Sequence, residues 1–457
     1  MSASDLSIAQ PHPQGADAIQ KIGLSLAALG LLVLLVAMAG VTFEQRTLFL
    51  SIALGGILVG TVVYASRKYM TQPAGIKNNG VMHKQLTNRG VFGWMIGIFL
   101  TGFYVLLYWF PYLFGTGDKT NTGLVALFDP LSNFLNGGKA DEYFVYGSVY
   151  SLAVLSLGIK FMLKYRNNRY QFTRTLVVIL IQLSFAYVIP EILKSLQRPD
   201  ASFEMDIKNF WPLKFDFFDG DNLNAMRKNG GLGMLFLVAG VLGFTVLAPI
   251  ITYFTGKRWY CSWVCGCGGL AETAGDSFRQ LSSKKLVAWK IERWLIYSVL
   301  IFVVIMTAGV LYTYFSGKGE GVSGPLRSAY GFMIGSIFSG VIGVGFYPLM
   351  GNRVWCRFGC PMAAYIGLVQ RFKSRFRITT NGGQCISCGN CSTYCEQGID
   401  VRWYAQRGQN IVRSSCVGCG ICSAVCPRGV LKLENGPEQG RINEDPLLIG
   451  LLKQNKD

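Results

Sequence analysis

The chain of 457 residues is 51% hydrophobic and only 15% charged, with a mean hydropathy of +0.34. This composition excludes a set of soluble domains and indicates a membrane protein. The net charge of +18 does not indicate nucleic-acid binding, because the cations gather in particular loops between apolar segments, as a signal for membrane orientation requires.

Eight apolar segments follow a polar N-terminus. Residues 1–20 contain neither the basic start nor the small-residue cleavage site of a signal peptide, so we predict that they remain as a cytoplasmic N-terminus. A helix that crosses a bilayer needs about 20 mostly apolar residues. By this criterion the sequence predicts spans near 22–42, 47–66, 92–115, 145–164, 174–194, 231–254, 294–315 and 330–350.

The loops between the predicted spans alternate in charge. The loop after span two carries five cations and no acid, and the loops after spans four, six and eight are also basic. The loop after span three contains Asp118, Asp129, Asp141 and Glu142 against two lysines. Since cytoplasmic loops carry the excess of lysine and arginine, we predict a bacterial inner-membrane protein with both termini in the cytoplasm. Everything after span eight is then also cytoplasmic.

A short motif is repeated at the cytoplasmic ends of spans six and eight. Both copies read G-x-R-x, an aromatic residue and C-x3-C, from Gly256 to Cys265 and from Gly351 to Cys360. Cysteines four residues apart face the same side of a helix. Two packed copies would present four thiolates to a third iron–sulfur cluster or to a single metal ion. The candidate ligands are Cys261, Cys265, Cys356 and Cys360, with Cys267 as a spare or alternative ligand. The other interpretation is free thiols buried by packing.

Eight further cysteines form two copies of one pattern between residues 385 and 433. Each copy reads C-x2-C-x2-C-x3-C, the spacing by which a short polypeptide binds two [4Fe–4S] clusters and by which each fourth cysteine reaches the other cluster. A zinc site would explain one C-x2-C pair but not this run twice, and disulfides do not persist in the cytosol. We assign Cys385, Cys388, Cys391 and Cys426 to the first cluster and Cys416, Cys419, Cys422 and Cys395 to the second.

The sequence also excludes several kinds of catalytic site. Its only histidines, His12 and His83, lie outside the predicted spans, which excludes a bis-histidine haem inside the membrane. No G-x-G-x-x-G dinucleotide loop in a strand–helix context and no P-loop is found. We therefore predict an electron-transfer subunit of an oxidoreductase rather than a stand-alone enzyme.

With its paired C-x3-C motifs and its two-cluster segment, the chain resembles the membrane polyferredoxin family over residues 231–433. That family includes the quinol-oxidising ferredoxin subunit of periplasmic nitrate reductase systems, the membrane regulator of nitrous oxide reductase and the accessory ferredoxin of copper oxidase assembly. The resemblance implies electron transfer between a membrane or cytoplasmic donor and a partner across or within the membrane. Gly266 and Glu396 depart from the pattern, since prolines usually follow the preceding cysteines, and Cys267 is an additional cysteine.

The predicted fold is an all-α polytopic membrane protein of about eight transmembrane helices with a small C-terminal α+β two-cluster ferredoxin domain. Its parts are the N-terminus 1–20, a first transmembrane region 21–230, a polyferredoxin-like region 231–370, a linker 371–384, the ferredoxin domain 385–433 and a tail 434–457.

The predicted function is electron transfer between a cytoplasmic or quinone donor and a membrane or periplasmic redox partner, within a respiratory-type complex. Two [4Fe–4S] clusters and a further cysteine-bound centre would carry the electrons. The alternative hypothesis is a maturation factor for a membrane metalloenzyme, which reduces cysteines or binds Cu(I), the ion that soft thiolates select. A membrane redox sensor is a third hypothesis, although the sequence offers no effector domain.

Overall fold

The computed structural model describes residues 15–70, 90–117, 120–194, 211–318, 320–438 and 440–441. The predictions for most of the N-terminus, for the basic loop after span two and for most of the C-terminal tail lie outside these residues. The cations Lys77, Lys84 and Arg89 belong to that loop.

Eight described helices are long and apolar enough to cross a membrane, and each matches one predicted span. The first begins and ends four residues earlier than predicted, and the seventh begins eight residues earlier. The eight are Ala18–Met38, Arg46–Met70, Val91–Trp109, Glu142–Lys164, Arg169–Lys194, Gly231–Thr255, Leu286–Ser316 and Val322–Gly345. The prediction of a polytopic helical protein is therefore confirmed.

The helices are numbered in chain order, and short helices lie between the long ones. Spans five, six and eight each contain a π-helical segment, of 5, 5 and 13 residues, and single π-helical turns are often found at functional sites. The first ten helices are α1 Ala18–Met38, α2 Arg46–Met70, α3 Val91–Trp109, α4 Gly123–Asn136, α5 Glu142–Lys164, α6 Arg169–Leu183, α7 Ile189–Lys194, α8 Gly220–Lys228, α9 Gly231–Leu242 and α10 Ala248–Thr255. The others are α11 Trp259–Trp263, α12 Gly266–Thr273, α13 Leu286–Ser316, α14 Glu320–Ala329, α15 Gly343–Gly345, α16 Tyr347–Met350, α17 Val354–Phe358, α18 Pro361–Lys373, α19 Asn390–Thr393, α20 Val401–Gln406 and α21 Ile421–Ala424.

Large apolar side chains cover the outside of the long helices. Leu235, Ile301 and Ile305 are each more than 60% exposed. A helix satisfies its backbone hydrogen bonds internally, so it can lie in lipid with apolar side chains on its surface. Helices α1 and α2 pack closely through small residues, as membrane helices often do. A Cβ on Gly60 would lie 2.5 Å from the backbone nitrogen of Ala27, so only glycine fits there.

The C-terminal unit is built on a two-stranded antiparallel sheet. Strand β1, Phe376–Thr380, pairs with strand β2, Leu431–Asn435, so the two ends of the unit are held together. Ile378 and Leu431 form its core together with buried cysteines. The small α+β domain is thus confirmed.

The segment 371–384, predicted as a linker, contains regular secondary structure. The first part of this segment completes α18, and the second part contains β1, which forms half of the sheet. Cations and aromatic residues alternate between Arg371 and Arg377. Period-two alternation is typical of a half-buried strand, and residues 376–380 form such a strand by pairing with β2. The ferredoxin unit therefore extends from Phe376 to Asn435.

Candidate metal centres

The four cysteines assigned to the first cluster line one cavity. Cys385, Cys388, Cys391 and Cys426 line a cavity that, together with the solvent space at its opening, measures about 360 Å³. Gly389, which follows the second cysteine, has φ +79°. A residue with a Cβ is strained in this conformation, so glycine lets the loop wind around the cavity. The structure thus brings together residues that lie up to 41 positions apart, as 426 minus 385 gives.

The four cysteines assigned to the second cluster also lie close together. Burial raises the pKa of Cys422, and the nearby sulfurs of Cys419, Cys395 and Cys416 raise it further. Gly420 repeats the geometry of the first loop, with φ +70°. Cys395 therefore lies beside the second run of cysteines, as the crossed assignment requires.

The chemistry of these thiols fits an iron–sulfur cluster. All thirteen cysteines of the chain are free of disulfide bonds. Burial raises the pKa of Cys391 and of Cys419 to about 12, so neither would be a thiolate on its own at neutral pH. A coordinating metal deprotonates its thiol ligands outright. Thiols gathered in apolar surroundings are thus suited to hold iron rather than to react in water.

The two C-x3-C motifs have the same local structure. Cys261 lies in α11 and Cys356 in α17, whereas Cys265 and Cys360 each immediately precede the following helix, α12 or α18. Burial raises the pKa of Cys360, and the neighbouring sulfurs of the other three cysteines raise it further. The repeat therefore folds as two equivalent halves that bring four sulfurs together.

The arginine of each copy holds the backbone of the other copy. The guanidinium of Arg258 donates to the carbonyl of Cys356 (3.0 Å), and that of Arg353 donates to the carbonyl of Cys261 (3.0 Å). Both arginines are at most 2% exposed. Charge-assisted hydrogen bonds in a dry site are strong, so this exchange fixes the two motifs against each other and places positive charge beside the sulfurs.

Cys267 lies at the same centre. Its hydrogen bond with Cys265 lowers the pKa of Cys265 to about 6 and raises that of Cys267. Among the described residues, no group of three or more His, Cys, Asp or Glu side chains is placed to bind a single metal ion.

Glu396 connects the ferredoxin unit to this second group of cysteines. Its carboxylate pairs with Arg279 (2.5 Å) and Arg353 (3.0 Å), and its side chain is only 1% exposed. Burial alone would raise the pKa of Glu396, but the two arginines outweigh burial and hold it below its usual range. The glutamate that replaces a proline after Cys395 is thus a charged contact between the two centres.

Sequence reasoning missed the rest of this buried ionic network. Arg279 also pairs with Asp276 (2.7 Å), which in turn pairs with Lys164 (2.6 Å), and Arg174 pairs with Glu272 (2.7 Å). The only signal was the presence of three acids within an otherwise basic loop after span six. Apart from Arg279, which lies three residues from Asp276, the partners come from distant parts of the chain, so no local pattern could identify those pairs.

The loop of the second cluster is bound to the ends of the long helices. The hydroxyl of Tyr170 donates to the carbonyl of Gly418 (2.9 Å), and the Gln171 amide donates to that of Cys419 (2.6 Å). Gln370 donates to the carbonyl of Cys416 (3.0 Å). These bonds satisfy carbonyl groups of a loop that would otherwise be buried without partners, so they fix the second cluster site against the helical body.

Family comparisons agree with both groups of cysteines. A model described as a 4Fe-4S dicluster domain matches residues 377–427, and one described as a 4Fe-4S binding domain matches residues 231–286 and 331–379. The second model covers both C-x3-C motifs. No solved structure matches the chain significantly.

Two curated relatives are similar to parts of the chain. The putative electron transport protein YccM of Escherichia coli (strain K12) is 29% identical over 180 residues, which are 37% of this chain and 47% of YccM. The methylamine utilization ferredoxin-type protein MauN of Paracoccus denitrificans (strain Pd 1222) is 26% identical over 204 residues, 42% of this chain and 69% of MauN. The similarity thus spans about half the length of the first relative.

The helices and cysteine groups define a polytopic protein with ferredoxin-type 4Fe-4S domains. The predicted resemblance to polyferredoxin-like proteins is confirmed by the family models and by both relatives.

Replacing Gly268 with alanine should remove the centre at the C-x3-C motifs. The new Cβ would lie 1.9 Å from the carbonyl oxygen of Cys261, so the α11–α12 turn has to open. We expect the purified variant to lose about one cluster's worth of iron, four atoms, while the ferredoxin unit keeps its own. Gly309→Ala is the matched control, because nothing lies within 4 Å of its added Cβ. Equal iron content in the two variants would contradict the prediction.

Proposed function

We propose that this protein is an iron–sulfur electron-transfer protein of the bacterial inner membrane, with three cysteine-bound centres in a row. The observation that carries the proposal is the packing of the second cluster loop against the C-x3-C motifs. Val417 and Cys419 of that loop belong to the same apolar cluster as Cys261 and Cys360. Neighbouring centres separated only by packed protein can exchange electrons without a mobile carrier.

We propose three sets of ligands. Cys385, Cys388, Cys391 and Cys426 hold the first [4Fe–4S] cluster, and Cys395, Cys416, Cys419 and Cys422 hold the second. Cys261, Cys265, Cys356 and Cys360 hold the third centre, with Cys267 in reserve. The 4Fe-4S binding model that covers both C-x3-C motifs supports an iron–sulfur cluster there.

The cysteine ligands of the three proposed centres differ in their exposure to solvent. A bound [4Fe–4S] cluster accepts and donates single electrons, with a potential that its surroundings set. Cys388 at the first site is exposed, whereas Cys416 and Cys422 at the second and Cys261, Cys356 and Cys360 at the third are buried. Arg258 and Arg353 exclude water from the third site and offset the negative charge of its ligands. Electrons would pass between the exposed first site and the third centre at the helix ends.

The side of the membrane and the partners are also part of this proposal. The ferredoxin unit lies at the helix ends that carry the buried cations Lys164, Arg174, Arg279 and Arg353. By the positive-inside rule, that side is the cytoplasm. The protein would act as a subunit of an oxidoreductase, between a cytoplasmic or quinone donor and a membrane or periplasmic partner. The relatives named for electron transport and for a ferredoxin-type protein support this role.

An EPR-monitored redox titration of the anaerobically purified protein tests the proposal. We expect the EPR signals of the reduced clusters to be broadened by magnetic interaction between the clusters, because the centres are close neighbours. Signals that are absent at every potential would contradict electron transfer through clusters. The same preparation tests the copper hypothesis: Cu(I) binding that depends on Cys261 and Cys356 in a protein without cluster signals would favour a maturation factor instead.

A further inference from the structure

The first cluster site is open to solvent beside Cys388. The hydrogen bonds, ion pairs and apolar contacts that join the cysteine loops to the helices reach residues 393 to 425. Cys388 lies outside this stretch and is exposed, and the neighbouring Ile386 is 54% exposed. The cluster that these cysteines would hold is therefore the one that a soluble protein can approach.

The rim of this opening is positively charged. Arg402 and Arg428 line the same cavity as the four cysteines, and both are exposed. Arg407, also exposed, stacks on Trp403 at 3.9 Å from the ring centroid. Within the described part of the chain, no ion pair joins these three arginines to a carboxylate.

The acid nearest to Arg402 in sequence forms no ion pair with the rim, and its single negative charge leaves the three arginines in excess. Asp400 precedes Arg402 by two residues, but its carboxylate accepts a hydrogen bond from the Ser392 hydroxyl (2.7 Å). Together with the exposed apolar surface of Ile386 and Trp403, the rim has the composition of a binding site. Arginine and aromatic residues are enriched at protein interfaces, and apolar side chains form their centre.

We propose that Ile386, Trp403, Arg402, Arg407 and Arg428 form a docking surface for a small acidic one-electron carrier, a flavodoxin or a ferredoxin. This proposal rests on the proposed function, because it needs the first cluster. Opposite charges would steer the carrier to the exposed cluster and orient it. One electron then leaves the reduced carrier and enters the cluster held by Cys385, Cys388, Cys391 and Cys426. This electron transfer forms and breaks no covalent bond and moves no proton. The patch is small, as for weak electron-transfer encounters.

Stopped-flow reduction of the full-length protein in detergent by reduced, acidic flavodoxin tests the docking surface. In the wild type, we expect the bimolecular rate constant to fall steeply as salt is added. The Arg402→Glu/Arg428→Glu variant should react at least about ten-fold more slowly at low ionic strength. The difference should vanish near 1 M salt, where the Debye length is about 3 Å.

The matched control is Arg227→Glu/Lys228→Glu, which changes the net charge equally on α8, at the opposite ends of the helices. It should keep the wild-type rate constant. Dithionite reduction and EPR of each variant report the clusters separately. A wild type without clusters overturns the proposed function. If the clusters are intact and the rate constant of reduction by flavodoxin is the same for all variants and independent of salt, the proposed docking surface is overturned. Loss of binding to phosphatidylglycerol vesicles in the rim variant, with an unchanged rate constant, assigns the surface to lipid and also overturns it.

Discussion

Replacing Glu396 with alanine should weaken the attachment of the ferredoxin unit to the helical body. The substitution leaves Arg353 buried without a carboxylate and removes one of the two carboxylates that pair with Arg279. Removing one member of a buried ion pair typically costs about 3–5 kcal/mol, because the remaining charge stays desolvated. We expect the free energy of unfolding in detergent to fall by this amount, measured by denaturant titration with tryptophan fluorescence.

Two further substitutions identify the cause of this loss. Glu396→Gln keeps the shape and one hydrogen-bond acceptor for the arginines, so its effect should be intermediate. Glu438→Ala removes an exposed acid that lies 3.7 Å from Arg377, and exposed pairs contribute little. If Glu396→Ala unfolds at the same denaturant concentration as Glu438→Ala, the buried contact does not hold the unit in place.

Alanine substitutions of the cysteines will remove iron in groups of about four atoms per chain. Cys388→Ala, Cys419→Ala and Cys356→Ala each remove a ligand from a different proposed centre, so their losses should add in double variants. The large effect arises because each cubane needs all of its protein ligands. Iron and acid-labile sulfide analysis of anaerobically purified variants measures the losses.

The crossed ligand Cys395 gives the sharpest form of this experiment. Cys395→Ala combined with Cys419→Ala should lose about four irons, since both substitutions affect the second cluster. Cys395→Ala combined with Cys388→Ala should lose about eight. The reverse result would mean that Cys395 belongs to the first cluster. The corresponding serine variants, which keep an oxygen ligand, show by EPR whether the remaining cluster is intact when an alanine variant unfolds.

The sequence was sufficient for features that depend on local patterns. All eight spans follow from the length of apolar segments, and the cysteines that line the first cavity follow from their spacing. The equivalence of the C-x3-C motifs was also visible, because Gly256 and Gly351 precede the same motif. In the structure these glycines have φ +67° and +95°.

Contacts between distant segments could not be predicted in the same way. Arg258 and Arg353 occupy the same position in the two repeated motifs, but the sequence could not show that each donates to a carbonyl of the other copy. Glu396 was noticed only as a departure from a proline. Its partner Arg279 lies 117 residues away, so the ion pair depends on how the unit docks.

Iron and acid-labile sulfide per chain of the full-length, anaerobically purified protein test most directly whether the protein holds three iron–sulfur centres. Three [4Fe–4S] clusters predict about twelve irons and about twelve sulfides. About eight of each would contradict a cluster at Cys261, Cys265, Cys356 and Cys360. Zinc or copper without sulfide would contradict the whole account.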